Sequence, residues 1–192
     1  LAESRVIVNL FFSQLINQNT KELPQDNPDL KHQCLLLMDE FTSIGRVEII
    51  AHSVSYMAGY NIRLFPIIQS VAQLDAVYGK EYARTIITNH ALQIIYTPRE
   101  QQDANEYSEM LGYTTVKRKN VSRGRERSVS ESEERRALML PQELKGMSQD
   151  SEIIIYEGMA HPAKVNKIRY YQDGMFTKRL KGAVKVASLK GG

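Results

Sequence analysis

Tryptophan is absent from the 192-residue chain, and cysteine occurs once, at Cys34. A single thiol makes no internal disulfide and no cysteine-based metal cluster, which removes stapled secreted scaffolds and zinc modules from consideration. The four histidines, His32, His52, His90 and His161, lack the paired spacing of metal ligands. No apolar run approaches the roughly 18 to 20 residues that cross a bilayer. The opening, LAESRVIVNLFFSQL, has neither the charged head nor the small-residue cleavage site of a signal peptide. Neither sign of charge dominates, since 25 basic and 22 acidic residues leave a net charge of +3. Such mild basicity is compatible with nucleic acid without requiring it. No serine or cysteine nucleophile stands out. These absences leave a cytosolic globular chain of ordinary domain size. It starts without methionine inside a helical pattern, as a piece of something longer does.

The chain's periodicities alternate between helix and strand. Val8, Phe11, Phe12, Leu15 and Ile16 recur at helical spacing, so residues 3–19 form an amphipathic helix with a wide buried face. Pro24 and Pro28 mark a loop. The run Cys34–Met38 is a short buried strand. Val47, Ile50, Val54 and Met57 then sit at steps of three or four, with Gly59 placed to end one helix. A second strand spans Ile62 to Ile68, although Pro66 cannot donate to a ladder and belongs at an edge or bulge. Ser70 caps the next helix. Residues 82–90 form another, and Ala91 to Thr97 a third strand. A surface helix closed by Gly112 follows, then a turn or short helix at LPQELKGM and two strands, SEIIIYEG and AKVNKIRYY.

Such alternation implies an α/β domain with a mainly parallel sheet and helices on both faces. Residues 1–180 form the domain, and 181–192 a frayed basic tail. Residues 117–136 carry eight basic and four acidic side chains and few apolar ones, which predicts a flexible charged loop. Its basic positions, from Lys117 to Arg127, could touch a phosphate backbone, but the run lacks aromatics and leads into Glu131, Glu133 and Glu134. Tyr170 and Tyr171, at a strand end, are expected to pack.

In an open α/β sheet, ligands gather at the carboxyl ends of the strands. Three such ends are polar here: Asp39 and Glu40 after Met38, Gln69 and Ser70 after Ile68, Thr97 and Arg99 after Tyr96. If the three strands are parallel neighbours, an acid pair, an amide and a cation share one rim. Phosphoryl transfer uses that inventory, because its catalysis is mostly positioning and charge stabilisation. Asp39 would serve magnesium, which takes hard oxygen ligands and keeps several waters. Glu40 would polarise a water, and Gln69 would sense the terminal phosphate. A plainer reading has the acids starting a helix, Gln69 capping one, and Arg99 pairing with Glu100 or Asp103 in solvent.

Five segments occur in order between Cys34 and Phe176: LLLMDEF, PIIQSVAQLDAVYG, REQQDANEYSEMLGYTTV, LMLPQELKGM and IIIYEGMAHPAKVNKIRYY. Together they resemble the C-terminal half of the nucleotide-binding domain of type IV secretion coupling proteins, the TraG-like conjugative DNA-transfer ATPases. The resemblance implies a RecA-like P-loop NTPase domain that uses ATP and Mg2+ and assembles, when full length, into a homo-hexamer. It implies DNA and relaxase or relaxosome proteins as cargo. Channel ATPases and inner-membrane components would be the other partners, at the cytoplasmic face of the bacterial inner membrane. The family's Walker B acids fall on Asp39 and Glu40, and its downstream glutamine on Gln69. An arginine acting in trans falls on Arg63 or Arg84, with neither position decided. The chain contains no G-x-x-x-x-G-K-[ST], the loop whose amides cradle phosphates. This is then a partial domain without its phosphate-loop half, inactive alone. The rival readings are another P-loop translocase or helicase, and a non-catalytic α/β interaction module.

Overall fold

The computed structural model describes residues 2–123 and 127–182, with side chains for 5–118 and 132–182. The chain opens with helix α1 (Ala2–Asn19), then strand β1 (Cys34–Met38), a single 3-10 turn (Phe41–Ile44) and α2 (Glu48–Ser53). After a second 3-10 turn (Met57–Tyr60) come β2 (Ile62–Pro66), α3 (Val71–Tyr78) and α4 (Lys80–Thr88). Strand β1 pairs with β2 in parallel, Cys34 opposite Ile62 and Met38 opposite Pro66. Pro66 closes the ladder at the point where its missing N–H does least harm. Around this pair a first core gathers, with Ile16, Phe41, Ile50, Met57, Leu74 and Tyr78 among its buried side chains.

The second half of the chain builds its own core. It runs β3 (Leu92–Ile95), α5 (Gln101–Leu111), β4 (Tyr113–Arg123), β5 (Arg127–Ala137), α6 (Pro141–Lys145), β6 (Ser151–Tyr156), β7 (Ala163–Asn166) and α7 (Gly174–Thr177). Strands β3, β6 and β7 form an antiparallel sheet in that order. On one of its faces Ile95 and Ile153 join Leu111, Leu144 and Met147 in the second core.

Several expectations change here. Among the described residues only β1 and β2 pair in parallel; β3 lies in the antiparallel sheet, because β6 rather than β2 is its hydrogen-bonded neighbour. Leu36 and Met38 of β1 are buried, whereas Leu35 and Leu37 are 62% and 59% exposed, since no described element covers that face. Helix α1 likewise buries Ile16 and leaves Phe11 exposed. The single helix expected across 41–59 is broken, because Gly45 (φ 76°) and the extended Val47 interrupt it. Tyr170 and Tyr171 are exposed and pack edge to face on one another.

Strands β4 and β5, residues 113–123 and 127–137, pair as a long antiparallel ribbon where the charge content of 117–136 predicts a loop. Apolar content misses the cross-strand pairing of charges that the register sets up. The backbone register sets Lys117 opposite Glu133, and opposite charges across a ladder contribute about 0.2–1 kcal/mol. Arg118 pairs with Glu134 at 3.2 Å, and Arg135 lies 4.1 Å above the Tyr113 ring. At the base, Leu138 N–H donates to Gly112 O and the Ser108 hydroxyl to Met139 O, which ties the ribbon to α5. Arg125 of the basic run and most of the tail, 183–192, lie outside the described residues.

Candidate active site

The end of β1 is held to the segment after β2 beyond the ladder itself. Ile67 N–H donates to Met38 O at 3.0 Å, and Phe41 N–H donates back to Ile67 O at 2.9 Å. Between those bonds stand Asp39 and Glu40, both exposed. Glu40 adopts the left-handed conformation (φ 51°, ψ 48°), which costs a residue with a Cβ about 1–3 kcal/mol and persists only where surrounding contacts over-determine it. Its N–H donates to Asp39 Oδ1 at 3.1 Å, and its carbonyl receives Ser43 N–H at 2.8 Å. The turn thus separates the two acids. Glu40 lines a cavity of about 360 Å³ and Asp39 does not.

Gln69 lines the same cavity, with Thr42, Ser43, Gln73, Ala76 and Val77. Helix α3 supplies the far wall. Ser70 caps it, its side-chain oxygen accepting Gln73 N–H at 3.3 Å, so the helix starts directly after Gln69. Thr42 donates to the Gln73 amide oxygen at 3.3 Å. The structure therefore brings Glu40 and Gln69 together. Thr42 and Gln73 are partners that strand-end reasoning misses, because their bond spans 31 residues.

The cations do not join them. Arg63, on β2, is exposed and spends a guanidinium N–H on Ala58 O at 2.8 Å. Arg84 is exposed on α4, and Arg99 precedes α5; none of the three lines the cavity. Thr97 donates to Met147 O within the second core. The third strand end is thus absent from the rim, because β3 pairs elsewhere.

Behind the cavity, Tyr78 at the end of α3 is fully buried. Its ring stacks on Phe41 with centroids 5.2 Å apart, and its hydroxyl oxygen accepts Val47 N–H at 3.2 Å. Burial pushes the phenol up to about 12 against the opposing pull of the Val47 N–H. Arg46 donates to Tyr78 O at 3.2 Å while bonding Glu48 and lying 4.8 Å from the Tyr82 ring.

As a donor set, the exposed Glu40 carboxylate beside the cavity's hydroxyls and amides, with Asp39 next to it outside the lining, suits a magnesium ion that keeps most of its water. The set does not suit a whole nucleotide, because the cavity lining contains no cation and no glycine-rich loop to carry phosphate charge. Among the described residues no three His, Cys, Asp or Glu side chains cluster as an all-protein metal site.

The profile of the Type IV secretory system Conjugative DNA transfer family matches residues 1–191. Protein VirD4 of Agrobacterium fabrum is 27% identical over 173 residues, 88% of this chain and 25% of that protein. Conjugal transfer protein TraG of Escherichia coli is 31% identical over 121 residues, covering 62% of this chain and 19% of that protein. The chain therefore spans about a quarter or less of the length of these relatives. In structure it is similar to the bacterial conjugative coupling protein TrwB, unbound, with a TM-score of 0.59 at 22% identity over 71% of this chain and 32% of TrwB. TrwB has also been solved with ADP and Mg2+, and that structure gives a TM-score of 0.56 at 23% identity over 71% of this chain and 30% of TrwB. The shared architecture is the RecA-like P-loop NTPase fold. With its whole described length inside the family profile and its fold that of a coupling protein, the chain belongs to the type IV secretory system conjugative DNA-transfer family, the coupling proteins.

Proposed function

We propose that this chain supplies the acid side of an ATP-hydrolysing, DNA-translocating coupling protein that delivers relaxase-bound DNA to a type IV secretion channel. The observation that carries the reading is Glu40 and Gln69 lining one cavity at the end of a parallel strand pair. In this reading Asp39, beside the cavity rather than in its lining, would hold Mg2+ through water, Glu40 would polarise the attacking water, and Gln69 would contact the terminal phosphate. The metal, when bound, neutralises charge on the transferring phosphoryl group. Phosphate cradling and an arginine in trans, Arg63 or Arg84, come from outside this cavity, so the 192 residues alone should not turn over ATP. Hexamer formation, contact with relaxosome and channel proteins, and attachment to the inner membrane belong to the complete polypeptide. No helix among the described residues is long and apolar enough to cross a membrane.

The test is Mg2+-dependent, DNA-stimulated ATP hydrolysis by the complete polypeptide, compared with the same protein carrying Glu40→Gln. Loss of about two decades of turnover with nucleotide binding retained supports the reading. Normal turnover in the variant would transfer the acids to the helix-starting role and the chain to the class of interaction modules.

A further inference from the structure

The left-handed turn at Glu40 needs something to hold it, since its own hydrogen bonds, to Asp39 and Ser43, are short-range and exposed. The backbone bonds of Ile67 to Met38 and of Phe41 to Ile67 pin the two ends of the turn, and the segment that leaves it packs on Tyr78. Three contacts converge on that residue from the segment following Glu40. Phe41, next in the chain, stacks on its ring with planes inclined by 13°. Val47 N–H donates to its hydroxyl oxygen, and the Arg46 guanidinium to its carbonyl. Phe41, Val47 and Tyr78 are each fully buried. Tyr78 ends the helix that begins just past Gln69, so one rigid element ties both cavity-lining groups. Immediately after it, Gly79 (φ 81°) turns the chain away.

We propose that Tyr78 is a positioning residue for Glu40, acting through Phe41 and Val47, so that α3 holds the Glu40 carboxylate in register with Gln69. It does not touch the cavity itself. The inference rests on the hydrolytic reading of Glu40 and adds to it a residue the catalytic inventory does not contain. Displacing a reacting group by about 1 Å can cost about 10²-fold in rate, so a clamp on a strained turn has kinetic consequences that a core residue elsewhere lacks.

Tyr78→Phe keeps the ring and removes the hydroxyl that serves Val47. In the complete polypeptide it should lower kcat for Mg2+-ATP hydrolysis about tenfold and leave KM within about twofold. Combined with Glu40→Gln it should cost nothing further, because two residues acting through one group are non-additive. Phe41→Leu, which removes the stacking partner without touching Tyr78, should give the same pattern. A second readout uses the 192-residue chain and needs no activity: amide exchange across residues 40–47 should accelerate in Tyr78→Phe, while β6 amides keep wild-type protection. Unchanged exchange at 40–47, unchanged kcat in both variants, or multiplicative loss with Glu40→Gln would each overturn the proposal. If the complete polypeptide hydrolyses no ATP at all, the functional reading fails, and the exchange result still decides whether Tyr78 holds the turn.

Discussion

The hydroxyl of Thr42 donates to the side-chain oxygen of Gln73 across 3.3 Å, joining the loop after β1 to the helix after β2. Residues 31 apart in sequence thereby close one side of the cavity that Glu40 and Gln69 share.

Removing that bridge should loosen the site more than the fold. A partly exposed, neutral hydrogen bond contributes about 0.5–1.5 kcal/mol. Thr42→Val should therefore lower the unfolding free energy of the chain, read from urea titration, by no more than that amount, and should reduce ATP turnover of the complete polypeptide several-fold. Equal turnover in the two proteins would show that the bridge does not order the rim.

The left-handed turn predicts a conflict between stability and activity at Glu40. A glycine accepts φ 51° without steric cost but adds unfolded-state entropy. Glu40→Gly should be neutral or stabilising by up to about 1 kcal/mol, while Glu40→Val, β-branched at positive φ, should destabilise by more than about 1 kcal/mol. Both should abolish hydrolysis. Urea titrations of the two variants check the ordering.

Asp103 is 4% exposed on α5. Burial raises its carboxyl above the ordinary value of 3.8; the Val71 N–H opposes this, and Glu106, Glu100 and Asp75 add repulsion. A carboxyl that holds its proton more tightly when folded gives stability that is full below its unfolded pKa and lost as pH rises through its folded value. Asp103→Asn, neutral at every pH, should therefore melt higher than wild type at about pH 7 and lose that advantage towards about pH 3. A constant difference across that range would remove the charge explanation.

The ribbon should depend on the pairing of Lys117 with Glu133. Lys117→Glu sets like charges opposite one another and should weaken protection of the ribbon amides by about 0.2–1 kcal/mol. The double swap Lys117→Glu/Glu133→Lys should restore it. Hydrogen exchange reads both. Equal protection in all three proteins would assign the ribbon's order to its anchoring at Gly112 and Met139 instead.

Much of the site was legible before any coordinates. An apolar run ending in two acids marks a strand end, and Ser70 before VAQLDAVY marks a helix start, which the Ser70 cap bears out. Helices α1, α3, α4 and α5 lie close to where their periodicity puts them. The loop expected at 117–136 gave way to strand pairing over its described residues because composition counts charges without knowing which lie opposite, and register depends on backbone pairing between residues up to 24 apart.

By itself the sequence determined the local pieces: the elements, the acid pair, the missing phosphate loop and the family those pieces resemble. All are set by neighbours within a few residues, where helical and strand periodicity act. Tertiary structure decided which pieces meet. It brought Glu40 to Gln69, left Arg63, Arg84 and Arg99 outside the cavity, sent β3 to an antiparallel partner, and forced Glu40 into a left-handed turn backed by Tyr78. Those outcomes depend on buried area and hydrogen-bond satisfaction summed over the whole core, and no local window of residues contains that sum.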